Sequence, residues 1–281
     1  MNFFYLLLST LGESGGYVFD RLNFKRNRIG FRQLMFLSFL GMSIFLWLFI
    51  FLTGASFPHF SLVSLGLVAL IIGFSFGGNV FDALSLKADD LSLREPLIDF
   101  YPILAGLVGY IAFPGERKSV YLWAFVAGTM VVWWGLHHIK LRRIQKKGIG
   151  YLLLGTILYA VLPSLYKEAL NYLSPAYIAV LRVTGILILT SIFLPFKSIR
   201  SLTPNRVWYC VLSSLSCSVA AIAGLYAILA FGVVVTMLFL MLGPALRYLA
   251  GQFILHEKVR RSEVISSVML TLIVAIAAFI R

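Results

Sequence analysis

The chain has 281 residues, of which 60% are hydrophobic and only 12% charged, and its formal net charge is +13 at pH 7. Soluble domains carry about 25% charged residues, so this composition excludes an ordinary soluble protein. The basic excess raises nucleic-acid binding as an alternative, which the positions of the basic residues then argue against.

Ten apolar segments follow one another along the chain, each near the roughly 20 residues that a membrane-spanning helix needs. The first segment lacks a basic leader and a small-residue cleavage site, and Glu13 interrupts it, so we interpret it as a mature helix rather than a signal peptide. The sequence predicts an all-α integral membrane protein with ten transmembrane helices, at 2–19, 33–52, 62–86, 92–113, 120–136, 150–170, 175–194, 207–230, 233–255 and 263–280.

The two halves of the chain read as copies of one five-helix unit. Tyr-Leu-Leu-Leu occurs at 5–8 and again at 151–154. Near the end of each half a proline precedes an apolar stretch and an acidic–basic pair, at 102–117 and at 244–258. Because five spans is an odd number, the second copy enters the membrane from the opposite side. We therefore expect two inverted five-helix repeats, 1–148 and 149–281, a plan that recurs among secondary transporters, with the site between the repeats.

Basic residues concentrate in alternate loops, as the positive-inside rule describes for cytoplasmic loops. The even-numbered loops hold only Arg117 and Lys118. Both termini are therefore predicted to be extracytoplasmic, and the basicity is explained by topology rather than by nucleic-acid binding. The odd-numbered loops hold eighteen basic residues: Arg21, Lys25, Arg26, Arg28, Arg32, Lys87, Arg94, Lys140, Arg142, Arg143, Lys146, Lys147, Lys197, Arg200, Arg206, Lys258, Arg260 and Arg261.

Three segments, taken in order, are similar to a known family. The first runs from Ala-Leu at 83–84 through Asp-Phe-Tyr-Pro at 99–102 to Pro-Gly-Glu-Arg at 114–117. The second is Tyr-Lys-Glu-Ala-Leu at 166–170, followed by Ser-Pro at 174–175 and Arg182. The third runs from Tyr-Ala at 226–227 through Leu-Gly-Pro at 242–244 to His-Glu-Lys-Val at 256–259. Together they resemble the ten-helix EamA-type branch of the drug/metabolite transporter superfamily over essentially the full chain.

The resemblance implies transport of a small solute, often export of amino acids or other metabolites, through a central cavity shared by both halves. It does not name a substrate. Two features depart from the family pattern. Family members are often drawn with both termini inside, and the charged link at 87–96 is longer than usual. We interpret this link as a solvated loop with a proline near a helix start, with a charged cytoplasmic gate as the alternative.

Ionisable side chains inside a membrane are costly and usually face a cavity or a partner. Counted at about 1.5 Å per residue, Glu13, Asp99 and Arg247 lie about 9–12 Å from the cytoplasmic face on three different helices. Two interpretations stay open. In the first, Arg247 binds a carboxylate or phosphate, while Glu13 or Asp99 binds an ammonium group or a proton. In the second, the charges form a structural ion pair between the fourth and ninth spans.

A second charged group lies toward the outer face, where we expect Glu168 to pair with Arg182 beside Lys167, with anion recognition as the alternative. Tyrosines within the spans are candidates for lining a cavity, and two prolines at matching repeat positions are candidate helix kinks. The candidate substrate-binding or coupling residues are Glu13, Asp99, Tyr101, Tyr159, Arg182, Tyr226, Arg247 and Tyr248, and the candidate kinks are Pro102 and Pro244.

The chain contains no Gly-x-x-x-x-Gly-Lys-[Ser/Thr] motif and no metal-ligand spacing, so we expect no enzyme activity, no cofactor and no metal. The leading hypothesis is a secondary transporter that moves a small zwitterionic or anionic metabolite, such as an amino acid, across the cytoplasmic membrane through a cavity between the repeats. The alternatives are a flippase for a lipid-linked sugar or phosphate and, in a different class, a membrane-embedded enzyme or scaffold. The expected partners are the solute and the lipid bilayer, with a proton as the candidate coupling ion and no nucleic acid.

Overall fold

The computed structural model describes residues 3–25, 31–88, 100–138, 146–193, 204–254 and 261–279. Within these ranges the chain is all-α, as predicted, and contains ten α-helices and one short 3₁₀ turn at Pro114–Glu116. The helices are α1 (Phe3–Lys25), α2 (Phe31–Thr53), α3 (Leu62–Ala88), α4 (Phe100–Ala112), α5 (Ser119–His138), α6 (Lys146–Ala169), α7 (Pro175–Phe193), α8 (Pro204–Leu240), α9 (Gly243–Ile254) and α10 (Arg261–Phe279).

Several of these helices have the length and composition of membrane spans. Among the described residues, five are long and apolar enough to cross a bilayer: Arg32–Thr53, Leu62–Asp82, Gly148–Ala169, Pro175–Ile192 and Val207–Leu240. Three shorter apolar helices accompany them: Phe100–Ala112, Ser119–Trp134 and Val264–Phe279.

The first helix is longer than the sequence predicted. The sequence predicted that the first span ends at residue 19, but α1 continues to Lys25. Within this extension Asp20 contacts another helix, because Ser213 Oγ donates a 2.6 Å hydrogen bond to its carboxylate.

The ninth span consists of two helical segments rather than one kinked helix. Gly232 has φ +84° and ψ 176°, a conformation essentially confined to glycine, and it separates the first segment of α8 (204–231) from the second segment (233–240). A turn at 241–242 then precedes α9. Pro244 lies in the first turn of α9, where the missing N–H of proline costs nothing because that group has no intrahelical partner.

The described helices pack as two compact units. Unit 1 comprises Met1–Phe76 and Glu168–Ala227, and unit 2 comprises Gly77–Lys167 and Ile228–Arg281. Each unit draws on both halves of the sequence. The packing units therefore differ from the predicted repeats at 1–148 and 149–281, which remain a prediction.

Unit 1 is organised around the pairing of α2 with α7. Ser43 and Thr184 are joined through their hydroxyls at 3.1 Å, and the Trp47 indole donates to Thr184 Oγ1 at 3.2 Å. Buried aliphatic residues flank this polar contact, including Leu46 on α2 and Ile186 on α7. One shared hydroxyl thus joins two helices that are largely apolar.

Unit 2 has an apolar core in which α5 packs against α4 and α10. Phe125 is fully buried there and packs against Gly106, whose missing side chain leaves room for the ring. The second segment of α8 contributes to the same core. The buried members are Ile103, Tyr121, Ala124, Phe125, Val131, Val132, Val234, Leu238, Met241, Leu270, Val274 and Ala277.

Candidate functional site

In unit 1, α1 and the first segment of α8 run antiparallel and touch through small residues. Ser9 lies opposite Ala220, to whose carbonyl its hydroxyl donates at 3.5 Å, and Asn23 lies opposite Cys210, with 3.5 Å between Nδ2 and Sγ. We call this contact the α1–α8 seam. Small residues let the backbones of membrane helices approach closely. Three glycines of α1 fill the seam between its ends: Gly12, Gly15 and Gly16.

The α1–α8 seam holds ionisable side chains as well as small ones. Cys217 on α8 lies within electrostatic reach of Asp20, Glu13 and Arg182, which come from α1 and α7. All three ionisable side chains are half-buried. Glu13 and Asp20 are two helical turns apart and therefore lie on the same face of α1. We call Glu13, Asp20 and Arg182 the charged cluster of unit 1.

This cluster differs from the predicted grouping. The depth estimate placed Glu13 toward the cytoplasmic face and Arg182 toward the outer face, yet both lie around Cys217. Positions about 9–12 Å from opposite faces of a core about 30 Å thick differ in depth by about 6–12 Å, so long side chains at the two predicted levels can approach one residue between them. Asp20 was missed because it was assigned to a loop. Its spacing of two turns from Glu13 was the signal that pointed to it.

The predicted outer group is also rearranged. Glu168 is exposed, and Asn171 Nδ2 lies 3.5 Å from its carboxylate, in place of the predicted contact with Arg182. Lys167 forms an ion pair with Glu116, a residue that the sequence marked only as part of a repeated motif. The sequence offered no sign of this pair, because 51 positions separate its members.

Two predicted tyrosines meet in unit 2. The rings of Tyr101 on α4 and Tyr159 on α6 are half-buried and form a T-shaped pair with 6.2 Å between centroids. Tyr159 also packs onto α3, since a Cβ on Gly78 would lie 2.9 Å from its ring. Phe81 and Tyr151 stack at 6.2 Å on the same pair of helices. Together these rings give α3, α4 and α6 a shared aromatic surface.

The remaining predicted tyrosines lie elsewhere. Tyr226 stacks on Tyr5 in unit 1, with 5.1 Å between centroids and 18° between ring planes, at the end of the α1–α8 seam. The side chain of Tyr248 lies outside the described part of the structure.

Arg247 lies on α9, within unit 2, and is half-buried. Its guanidinium group folds back toward the start of its own helix, where atoms of the group lie 3.7–3.9 Å from the position of a Cβ on Gly243. Asp99, its predicted partner, lies outside the described residues, so that ion pair stays a prediction. Pro102 is buried in the first turn of the described part of α4.

The described residues contain no group of three or more His, Cys, Asp or Glu side chains that could hold a metal ion. The charged cluster of unit 1 offers groups for hydrogen bonding and ion pairing. A guanidinium group binds carboxylates and phosphates through paired N–H donors, and carboxylates bind ammonium groups or protons.

Comparisons with known proteins match this chain to a protein family and to solved structures. Residues 146–279 match the EamA-like transporter family. A solved crystal structure of a protein that is 15% identical superposes with a TM-score of 0.75, covering 99% of this chain and 96% of that one, which shows a shared fold. No protein of curated function matches the sequence.

Proposed function

We propose that this multi-pass membrane protein, whose residues 146–279 match the EamA-like transporter family, is a secondary transporter for a small zwitterionic or anionic solute such as an amino acid. The family is generally non-enzymatic. The charged cluster of unit 1 carries the proposal, because ionisable side chains within membrane helices mark solute or ion pathways.

The composition of the cluster matches the two charges of a zwitterion. The planar Arg182 guanidinium suits a solute carboxylate, which it can bind through two parallel N–H donors. Glu13 and Asp20 supply carboxylates for an ammonium group.

The path and its orientation are further parts of the proposal. The repeated motifs support two inverted five-helix repeats with the solute path between them. The concentration of basic residues in alternate loops supports extracytoplasmic termini. The cytoplasmic membrane is the proposed location. A proton bound at Glu13 is the proposed coupling ion, because a carboxylate in a membrane helix can exist in both charge states.

The test is uptake into proteoliposomes, using a panel of amino acids, nucleobases and sugar phosphates with and without a proton gradient. We expect accumulation of an amino acid, driven by the gradient. Arg182→Gln should abolish it, whereas Glu168→Gln, an exposed charge change in the same unit, should leave it unchanged. Absence of uptake across the panel, combined with lipid scrambling by the same vesicles, would overturn the proposal in favour of a flippase.

Arg247 requires a different comparison, because its loss should abolish transport whether it binds solute or forms a structural pair. We therefore compare Arg247→Ala with the double variant that also carries Asp99→Ala. If the pair is structural, removing both charges restores folding and transport, since no lone charge remains in the membrane. If Arg247 binds the solute, the double variant folds and still fails to transport. Full activity of Arg247→Ala alone would contradict both roles.

A further inference from the structure

In unit 2, Glu116 reaches the start of the second segment of α8. Its Oε1 atom accepts a 3.2 Å hydrogen bond from the Val233 N–H, and its Oε2 atom accepts a 2.8 Å hydrogen bond from the Val234 N–H. The first N–H groups of a helix have no intrahelical partner, and a carboxylate is favoured there by the helix dipole. Glu116 therefore caps this segment from the 3₁₀ turn between α4 and α5.

The same carboxylate also binds the end of α6. Lys167 pairs with Glu116 through Nζ and Oε1. The ammonium group lies 3.9 Å from the centroid of the Phe113 ring, within the range of a cation–π contact. One carboxylate thus joins the α4–α5 turn, α6 and the second segment of α8.

Gly232 allows the Glu116 carboxylate to approach α8 closely. Its φ of +84° and ψ of 176° are open to glycine and costly for other residues. A Cβ at this position would also overlap the Glu116 carboxylate. Two independent requirements, conformation and space, therefore select glycine where the carboxylate binds.

The anchoring of these groups is unequal. Arg117 holds the turn to α4, because its side chain donates to the carbonyls of Tyr110 at 3.0 Å and Ile111 at 2.6 Å. The Lys167 side chain, by contrast, is 32% exposed, while that of Glu116 is 14% exposed. If the ion pair separates, Lys167 retains water and the Phe113 ring as partners. Separation of the pair is thus less costly for Lys167 than for a fully buried lysine.

We propose that Glu116 and Lys167 form a latch through which the end of α6 controls the first turn of the second segment of α8. Lys167 holds the carboxylate in place, and the carboxylate holds the helix start. The latch rests on the geometry of unit 2 and goes beyond the proposed transport function. Its consequence for that function is that the latched segment leads through the turn at 241–242 into α9, which carries Arg247.

Hydrogen–deuterium exchange of the full chain in nanodiscs tests the latch without a substrate. The readout is the exchange rate of the Val233 and Val234 amides in wild-type protein, Glu116→Gln and Lys167→Met. Charged hydrogen bonds of this kind correspond to roughly 10-fold to 100-fold in the local opening equilibrium, so we expect Glu116→Gln to speed exchange by that factor. Lys167→Met should speed it by about 10-fold, through the weakened hold on Glu116. Glu168→Gln and Lys118→Met are matched controls and should leave the rate unchanged.

The double variant decides whether Lys167 acts through Glu116. If it does, Glu116→Gln with Lys167→Met should exchange no faster than Glu116→Gln alone. Wild-type exchange in Lys167→Met, or independent factors that multiply in the double variant, would overturn the latch. If Glu116→Gln does not fold, Lys167→Met and Lys118→Met decide the question by themselves. Because the exchange measurement needs no solute, a failed transport assay would not change the result of this test.

Discussion

Ser213 on α8 donates a 2.6 Å hydrogen bond to the Asp20 carboxylate on α1, which joins two helices whose contacting residues lie 193 positions apart. Ser213 is fully buried, so its hydroxyl depends on protein partners. The bond holds the Asp20 carboxylate within electrostatic reach of Cys217. The charges of Glu13 and Arg182 also act on Cys217. Asp20, which follows the predicted end of the first span, is thus part of a polar contact between two helices.

Removing the donor of this bond should destabilise the protein. Ser213→Ala leaves the half-buried Asp20 carboxylate with one donor fewer, at a cost of about 1–3 kcal/mol in the free energy of unfolding. Ser218→Ala on the same helix is the matched control. Its hydroxyl donates at 2.7 Å to the Ser214 carbonyl of its own helix, so its loss should cost less than about 0.5 kcal/mol. Unfolding by denaturant in detergent measures both, and equal shifts would contradict the role of the bond.

Close packing in the α1–α8 seam should make Gly16 intolerant of a side chain. Gly16→Ala places a Cβ against the Cys217 sulfur, and overpacking of this kind costs about 1–3 kcal/mol in the free energy of unfolding. Adding Cys217→Ala removes the obstructing atom and should restore most of the stability. Gly66→Ala is the control, because a Cβ there meets nothing within 4 Å. The same unfolding assay applies, and a double variant no more stable than Gly16→Ala would refute the packing explanation.

Alanine substitutions at Gly232 and Gly54 distinguish the cost of backbone strain from the cost of steric overlap. Both have positive φ, +84° and +61°, but only at Gly232 would a Cβ meet another group. Gly54→Ala should lose about 1–2 kcal/mol from the left-handed conformation alone. Gly232→Ala should lose more, because its conformation is less accessible and the Glu116 carboxylate must also shift. Melting temperatures of the two variants measure the difference, and a loss at Gly54 that matched or exceeded the loss at Gly232 would disprove this account.

The proposed orientation is tested by labelling in intact cells. Ala55→Cys lies in a loop without basic residues, and Ile144→Cys lies in a strongly basic one. We expect an impermeant thiol reagent to label position 55 and not position 144, because basic loops stay in the cytoplasm. The wild-type chain, with Cys210 and Cys217 only, gives the background. The reverse pattern would place both termini inside.

The sequence by itself determined the class of protein, the number of helices and most of their positions. Hydropathy is a local property, because each residue of a span contributes to transfer into lipid largely independently of its partners. The predicted spans at 207–230 and 233–255 leave a break at 231–232, and the structure has its non-helical residue, Gly232, at that position. The EamA-type resemblance likewise came from short motifs in sequential order.

Only the tertiary structure decided which charges meet. Depth along a helix can be counted from the sequence, but the rotation of a helix and the choice of its neighbours depend on side-chain packing. The structure brings Ser213 to Asp20 and Glu116 to Lys167, two contacts that the sequence did not predict. In a membrane these choices depend on interactions between distant residues, since a buried charge is stable only where a partner from another helix reaches it.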